Sequence, residues 1–308
     1  MKRRDFIQLG ALSGTWVLGQ GMPLNKVWDI EEIVKITILH TNDVHSRIDP
    51  FPLDGSRLQG LGGVATRASM IRTIRAQEKN VLLLDAGDIF QGTPYFNLYK
   101  GEIEIKAMSA LGYDATTIGN HDFDGGMENL KSQLKLAKFP MLVGNYDFSG
   151  TPMEGITQKF IVKMVEGIKI GIFGLGIEMK GLVSDDLFGD TKYLDPIHEG
   201  NQIAAHLKNE EKCDYIICLS HLGYQYNQQK ISDRTLAPLI DHVDLIIGGH
   251  THTFLDKAFI TKNKSGAPLI INQVGWAGVM LGRLDIRFEK NKARNRCKTC
   301  NNEWIMNG

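Results

Sequence analysis

Cysteine is scarce in this chain, with four residues among 308, and so few cannot build a disulfide scaffold. An excess of one charge is also missing, because Lys plus Arg and Asp plus Glu both number 35. A chain without a basic excess has no electrostatic attraction to nucleic acid or to an anionic membrane surface. No uncharged apolar run reaches the ~18–20 residues that a membrane span requires. We therefore expect no nucleic-acid partner and no membrane span.

The remaining composition is that of an ordinary globular protein, with 43% apolar and 23% charged residues, which argues against long disordered segments. A chain of this length forms one large domain or two small ones. No internal repeat and no Pro/Ser-rich linker interrupts residues 34–288. We therefore predict a single domain over residues 34–290. A basic, polar tail follows over residues 291–308, and we expect it to be loosely ordered.

Residues 1–24 have the layout of an export signal. A basic start with Lys2, Arg3 and Arg4 precedes a weakly apolar stretch rich in Gly, Leu and Ala. Arg3-Arg4-Asp5-Phe6-Ile7 is similar to the twin-arginine pattern. The alternative is an amphipathic N-terminal helix with a chance pair of arginines. We predict a twin-arginine signal and a periplasmic location, with cleavage near residues 21–24 weakly specified because no A-x-A site follows.

Short β-like runs alternate with helical patterns from residue 34 onward. Residues 34–39 have a period near two, residues 64–77 repeat apolar positions like one face of a helix, and residues 81–84 are continuously apolar. The same reading predicts strands at 115–118, 141–143, 161–165, 168–173, 215–219, 245–247, 269–272 and 279–288, and helices at 102–111 and 201–211. Alternation of this kind predicts an α/β fold with layered sheets and helices.

Polar residues collect where the predicted strands end. The five segments are Asp43-Val44-His45, Gly87-Asp88, Gly119-Asn120-His121-Asp122, Ser220-His221 and Gly249-His250-Thr251-His252. In open α/β sheets the carboxyl ends of the strands border the ligand crevice. The pattern therefore predicts one site assembled from five strand ends.

The ligand types in these segments favour a borderline divalent metal such as Mn, Fe, Zn or Co over Mg or Ca. The candidates are four imidazoles, two carboxylates and one amide oxygen, namely His45, His221, His250, His252, Asp43, Asp88 and Asn120. Seven ligands exceed one tetrahedral centre, so two ions sharing a bridging carboxylate fit better. If Asp43 and His45 lie on one strand, their spacing places both on the same face.

Each segment alone has an ordinary structural explanation. Asp-x-His is most often a surface pair, a lone histidine such as His221 is usually a hydrogen-bonded core or rim residue, and Gly119-Asn120-His121-Asp122 can be a turn. That tetrapeptide and the later Gly249-His250-Thr251-His252 are each expected by chance in only ~1 in 1000 chains of this length. Their joint occurrence after β-like runs favours a functional site.

The chain resembles the calcineurin-like metallophosphoesterases, and within them the catalytic domain of the bacterial 5′-nucleotidase group. The resemblance extends from about Ile36 to Ile286. It includes Gly62-Gly63-Val64-Ala65, Gly87-Asp88-Ile89-Phe90-Gln91-Gly92-Thr93 and Leu281-Gly282-Arg283-Leu284. The fold implied is two facing mixed β-sheets flanked by helices, with a dinuclear site at strand ends.

The resemblance also implies roles for individual residues. One metal would be held by Asp43, His45, Asp88 and His252, and the other by Asp88, Asn120, His221 and His250, with Asp88 as the bridge. His121 is not a ligand in this pattern; it resembles the catalytic histidine of the family, paired with Asp124. The implied activity is hydrolysis of a phosphomonoester, with a nucleotide as the best single substrate.

One departure from the family concerns substrate recognition. Full-length 5′-nucleotidases carry a second, C-terminal domain that binds the nucleoside, and the family-like region here ends about twenty residues before the end of the sequence. A separate chain supplying that domain is one expectation, and weak discrimination among nucleobases is another. Cyclic nucleotides, nucleotide-sugars and sulfur-linked esters remain alternative substrates, and a metallated subunit of a complex is the non-enzymatic alternative.

Several other residues are assigned structural roles. Cys297 and Cys300 have zinc-knuckle spacing without a second pair, and Cys213 and Cys218 lie in or beside a buried strand. Trp276 and Tyr224 could line a substrate pocket, but large aromatic residues are more often part of the core. Histidines without motif context are also read as structural: His40, His198, His206 and His242.

Overall fold

Two six-stranded sheets form the centre of the protein, and the computed structural model describes residues 32–290 and 296–306. The strands are β1 Glu32–Thr41, β2 Val81–Asp85, β3 Ala115–Thr117, β4 Met141–Leu142, β5 Tyr146–Asp147, β6 Phe160–Val165, β7 Ile168–Leu175, β8 Lys192–Tyr193, β9 Tyr215–Ser220, β10 Leu245–Gly248, β11 Phe259–Lys262, β12 Pro268–Asn272, β13 Met280–Lys290 and β14 Arg296–Met306. The α-helices are α1 Val64–Gln77, α2 Pro94–Tyr99, α3 Glu102–Leu111, α4 Met127–Leu134, α5 Asp185–Phe188, α6 Pro196–Asn209 and α7 Asp233–Leu236.

Both large sheets are mixed. The first has the order β14-β13-β1-β2-β3-β4, with β1 to β4 parallel and β13 and β14 antiparallel to their neighbours. The second has the order β11-β12-β10-β9-β7-β6, with the four central strands parallel and the two edge strands antiparallel. The short strands β5 and β8 pair separately.

The two sheets pack face to face around one apolar layer. Val34, Ile36 and Ile38 of β1 belong to the same buried cluster as Ile170 of β7 and Ile217 of β9. The alternation read from residues 34–39 thus places every second side chain between the sheets.

Helices cover the outer face of each sheet. Leu83 of β2 joins a second cluster with residues of α1, α3 and α4, and Ile216 of β9 joins a third with residues of α6 and α7. Because Leu82 and Leu84 face the other sheet, β2 is buried on both sides, as its continuous apolar run predicted. The predicted fold class, two facing mixed sheets flanked by helices, is confirmed.

Local sequence signals explain the bounds of two elements. The hairpin of β6 and β7 turns at Glu166-Gly167, and both residues have a left-handed backbone, with φ of 51° and 82°. Such geometry suits a two-residue hairpin turn. Helix α6 begins five residues earlier than the predicted 201–211, because the Asp195 side chain caps the N–H groups of Ile197 and His198 and Pro196 starts the first turn.

The expectation of a loosely ordered tail is wrong for Arg296–Met306, which forms β14. This strand pairs along β13, with a register shift between Arg287 and Phe288. Pairing with a long neighbouring strand satisfies its backbone groups without the alternating apolar pattern that marks a half-buried strand. Among the described residues, no helix combines the length and apolar character that crossing a membrane requires.

Candidate metal centre

Five strand ends meet at one edge of the two sheets, as the sequence predicted. Segments following β1, β2 and β3 come from the first sheet, and those following β9 and β10 come from the second. The His250 Nδ1 atom lies 2.8 Å from Asn120 Oδ1, although 130 residues separate them in sequence. The structure gathers six of the seven predicted ligands into two groups, each with ligand atoms within 4.8 Å of one another.

The first group, here called the His252 group, consists of Asp43, His45 and His252. The two Nε2 atoms of His45 and His252 are 2.9 Å apart, and His252 Nε2 lies 3.4 Å from Asp43 Oδ1. Two unprotonated imidazole nitrogens and a carboxylate at these distances can hold one cation among them. The His45 ring is oriented from its other nitrogen, because Nδ1 lies 3.3 Å from the Phe90 carbonyl oxygen.

The second group, here called the His221 group, consists of Asp88, His221 and His250. His221 is fully buried; its Nδ1 lies 2.6 Å from the Ala86 carbonyl oxygen, and its Nε2 lies 3.1 Å from Asp88 Oδ2. Apart from this contact with Asp88, the Nε2 atom has no hydrogen-bond partner within the described part of the chain. A buried nitrogen of this kind, with a carboxylate and a second imidazole beside it, fits a divalent metal ligand.

Asp88 lies between the two groups. Its Oδ2 atom is 3.1 Å from His221 Nε2 and 3.8 Å from His45 Nε2. Its Oδ1 atom accepts a hydrogen bond from the His121 backbone N–H at 2.8 Å. One carboxylate oxygen thus faces imidazoles of both groups, which is the placement a bridging ligand needs.

His121 stands beside the centre and belongs to neither group. Its ring centroid lies 5.3 Å from that of His45, and its Nδ1 atom lies 2.8 Å from Asp124 Oδ2. The His121 side chain is 37% exposed. The hydrogen bond to Asp124 raises the pKa of His121 more than partial burial lowers it. The predicted pairing of His121 with Asp124 is therefore present in the geometry.

Charge and burial compete inside the centre. Burial alone would raise the pKa of Asp88, but His221, His45 and His121 together bring that pKa below its usual range. Burial alone would lower the pKa of His221, but Asp88 and Asp43 outweigh it and raise that pKa. Burial and the neighbouring His221 lower the pKa of His250 to about 4. Opposite charge therefore outweighs burial at Asp88 and His221, whereas burial prevails at His250.

The backbone of the ligand loops differs from the expectation for Asp43 and His45. Strand β1 ends at Thr41, and both residues follow it with left-handed φ values of 51° and 49°. They converge because the loop turns, and not because they share a strand face. The predicted ligands Asp88, His250 and His252 have positive φ as well. Such conformations are costly for residues other than glycine and concentrate at functional sites.

Glycine is required where the loops approach most closely. A Cβ atom at Gly119 would lie 2.2 Å from Asp88 Oδ1, and one at Gly249 would lie 2.8 Å from the Ala86 carbonyl oxygen. Both distances are impossible for a side chain. These two glycines in the predicted motifs therefore allow the strand ends to pack against each other.

Two buried residues that position the loops were not identified from the sequence. The Asp122 carboxylate accepts hydrogen bonds from the backbone N–H groups of Gly119, Asp88, Ile89 and Phe90, at 2.8 to 3.2 Å. Gln273 Oε1 accepts from the Thr253 N–H and the Thr251 hydroxyl, on either side of His252. Asp122 lies within the predicted motif, whereas no local pattern distinguishes Gln273.

The assignment of Trp276 to the core is wrong. Trp276 is half-buried, and its ring stacks on that of His252, with centroids 5.6 Å apart and planes 9° from parallel. His40 is structural, as expected: it is fully buried in β1 and its Nε2 atom lies 2.8 Å from Asn272 Nδ2. Cys213 and Cys218 are buried and do not form a disulfide with each other.

Comparisons with known proteins agree with this architecture. The calcineurin-like phosphoesterase family model matches residues 36–254. The chain is 33% identical over 295 residues to the snake venom 5′-nucleotidase of Gloydius brevicauda, covering 89% of this chain and 48% of that protein. It is 30% identical over 300 residues to the trifunctional nucleotide phosphoesterase YfkN of Bacillus subtilis, covering 87% of this chain and 19% of that protein.

A solved structure shares the fold. The crystal structure of a 5′-nucleotidase precursor from Thermus thermophilus superposes with a TM-score of 0.78 at 31% identity, covering 89% of this chain and 54% of that one. The chain spans about half the length of the venom relative and of this structure. The resemblance read from the sequence is confirmed: the chain belongs to the calcineurin-like phosphoesterase family.

Proposed function

We propose that this protein is a two-metal hydrolase of phosphomonoesters, with nucleoside 5′-monophosphates as the preferred class. The observation that carries the proposal is the pair of ligand groups on either side of Asp88, with His121 held beside them. Asp88 Oδ2 faces His221 Nε2 at 3.1 Å and His45 Nε2 at 3.8 Å. The names of the similar proteins, 5′-nucleotidase and nucleotide phosphoesterase, support the substrate class.

The donor set indicates how two divalent ions would be shared. The proposed ligands of one ion are Asp43, His45, His252 and Asp88, and those of the other are Asp88, Asn120, His221 and His250. Imidazole-rich sets of this kind suit Mn, Fe, Zn or Co. When bound, such a pair lowers the pKa of a water molecule and neutralises charge on phosphoryl oxygens.

His121 is the proposed proton donor to the leaving oxygen. Asp124 Oδ2 accepts a hydrogen bond of 2.8 Å from the Nδ1–H group of His121, so that the Nε2 atom is the one available to the substrate. As the bond between phosphorus and the leaving oxygen breaks, negative charge gathers on that oxygen, and a proton from His121 Nε2 neutralises it. Because Asp124 raises the pKa of His121, the imidazole binds that proton more firmly before the reaction.

A hydrolysis screen tests the proposal. The full chain loaded with Mn²⁺ is incubated with AMP, 3′,5′-cyclic AMP, a nucleotide-sugar and a sulfur-linked ester. The loss of each compound and its products are measured by chromatography: phosphate and adenosine from AMP, AMP from cyclic AMP, a nucleoside monophosphate and a sugar phosphate from the nucleotide-sugar, and the cleaved halves of the sulfur-linked ester. Phosphate release from AMP that is abolished by EDTA is the expected result. Hydrolysis of one of the other three compounds without hydrolysis of AMP would contradict the substrate class and leave the metal centre in place.

We also propose that the chain is exported as a folded protein with residues 1–24 as its signal. This segment lies outside the described residues, and the proposal rests on Arg3 and Arg4. Replacing both with lysine keeps the positive charge but removes the guanidinium pair. We expect the double variant Arg3→Lys/Arg4→Lys to remain in the cytoplasm on cell fractionation while the unaltered chain reaches the periplasm. Normal export of the variant would contradict the twin-arginine assignment.

A further inference from the structure

An open cavity of about 440 Å³ lies beside the loop that carries His45. Its lining includes Arg47, Asp49, Thr93, Tyr95, Leu98 and Tyr99. The volume falls in the range of small-molecule sites. None of these residues is among the proposed metal ligands, so the cavity is distinct from the centre itself.

The cavity adjoins the loop that carries the predicted ligand His45. Arg47 follows His45 by two residues, so their Cα atoms are at most ~7 Å apart. On the opposite wall, the Thr93 hydroxyl donates a hydrogen bond of 2.8 Å to the Ser46 carbonyl oxygen, next to His45. The cavity is thus next to the place where a phosphate at the centre would be bound, which is the position that a leaving-group site needs.

The lining offers flat aromatic surface that the fold does not use. The rings of Tyr95 and Tyr99 are stacked, with centroids 6.4 Å apart and planes 25° from parallel. Tyr99 is 48% exposed and the adjoining Leu98 is 73% exposed. Exposed apolar side chains that are grouped around a cavity mark a binding surface more often than scattered ones do.

Polar groups hold this aromatic surface in place. The Tyr95 hydroxyl donates a hydrogen bond of 2.6 Å to Asp49 Oδ2. The Arg47 guanidinium carbon lies 4.0 Å from the centroid of the Phe51 ring, and Phe51 in turn contacts Trp276 edge to face. Since Trp276 stacks on His252, a chain of ring contacts connects Arg47 to the His252 group. The wall is thus positioned relative to the metal centre.

We propose that this cavity is the leaving-group site, and that it binds the nucleobase of a nucleoside monophosphate against Tyr99 and Tyr95. The inference rests on the proposed phosphomonoesterase function and adds the part of the chain that recognises the substrate. A planar base stacks on aromatic rings, and every base has such a face. The site therefore distinguishes a substrate with a base from one without a base, and it distinguishes poorly among bases.

The test compares AMP with ribose 5-phosphate, which has the same reacting phosphate and lacks the base. Stacking on an aromatic ring is worth ~1–3 kcal/mol per base, or about 5- to 150-fold, so the full chain should have a kcat/KM for AMP higher than that for ribose 5-phosphate by such a factor. Tyr99→Ala should reduce that ratio at least about fivefold, and Tyr99→Phe should preserve it because the ring remains. Leu239→Ala removes a side chain of similar exposure, 44%, outside the cavity lining, and should leave the ratio unchanged.

The outcomes separate this inference from the function on which it rests. Equal kcat/KM values for AMP and ribose 5-phosphate would overturn the nucleobase site and leave the phosphomonoesterase in place. A preference for AMP that survives Tyr99→Ala would also overturn it, because the base would then bind elsewhere. Failure to hydrolyse either compound would contradict the proposed function itself.

Discussion

The two ligand groups differ in how the protein holds them. His221 is fully buried and its ring is fixed by the Ala86 carbonyl oxygen, 2.6 Å from Nδ1. His252 is 39% exposed and is held by the flat contact of its ring with Trp276. A buried hydrogen bond therefore orients His221, whereas a ring contact near solvent orients His252; the other two members of the His252 group, Asp43 and His45, are buried. Because His252 is the more exposed of the two histidines, we expect an ion at the His252 group to exchange more readily than an ion at the His221 group.

The substitution expected to have the largest effect removes the charge shared by the two groups. In Asp88→Asn a neutral amide replaces the carboxylate oxygen that faces both His221 and His45. We expect phosphatase activity to fall by several orders of magnitude and bound metal to decrease, as measured by phosphate release and by metal analysis. Asp54→Asn, on an exposed loop, is the matched control and should match the unaltered chain. Full activity of Asp88→Asn after chelation would show that catalysis does not depend on two metal ions bridged by Asp88.

Next in size is the loss of His121, which belongs to neither group. His121→Ala should keep its bound metal and lose ~10²–10⁴-fold in rate, the usual contribution of a general acid. The loss should be smaller for 4-nitrophenyl phosphate, because its leaving oxygen needs no proton. Steady-state kinetics and metal analysis on the same preparation check both statements, with the exposed His198→Ala as control. A missing ion in His121→Ala would mean that His121 is a metal ligand and not a separate proton donor.

A smaller effect is expected on stability, and it concerns the buried loops of the His221 group. Asp122→Ala leaves four backbone N–H groups without their acceptor, and each unsatisfied buried group costs ~1–3 kcal/mol. We expect the free energy of unfolding, measured with denaturant in EDTA, to fall by at least ~3 kcal/mol. Asp54→Ala removes an exposed carboxylate and should change it by less than ~0.5 kcal/mol. Equal stabilities of the two variants would mean that Asp122 does not hold the loops.

The smallest expected effect concerns the choice of base on the exposed side of the centre. In the proposed reaction the metal centre binds the phosphate, which is common to all nucleotides, and aromatic stacking tolerates every base. The kcat/KM values for AMP, GMP, CMP and UMP should therefore lie within about tenfold of each other, or ~1.4 kcal/mol. Steady-state kinetics on the four compounds measure the spread. A preference above a hundredfold for one base would mean that the protein recognises that base by hydrogen bonds, which aromatic stacking does not provide.

The fold and the convergence of the site were predictable because they follow from local patterns. Alternating and continuous apolar runs predict which strands are half-buried and which are buried on both faces, and parallel strands bring their carboxyl ends to one edge. Asn120 and His250, 130 residues apart in sequence, come within 2.8 Å at that edge.

Other features depend on contacts that no local pattern carries. Asp43 and His45 have a left-handed backbone that these residue types rarely adopt, and the packing of the loops imposes it. Strand β14 forms by pairing with β13 although its sequence is polar. The role of Gln273 depends on the packing of the residue after β12 against the loop after β10, where its side chain accepts hydrogen bonds from Thr251 and Thr253. Trp276 looked like a core residue because burial of a large ring is the commoner outcome.

The metal content of the unaltered chain tests the central claim most directly. The full chain is purified, dialysed against Mn²⁺ and then against metal-free buffer, and its manganese and protein concentrations are measured on one sample that also hydrolyses AMP. We expect two ions per chain, with the ion of the His252 group lost first on graded chelation because His252 is 39% exposed whereas His221 is fully buried. A single ion per fully active chain would contradict the two-metal centre.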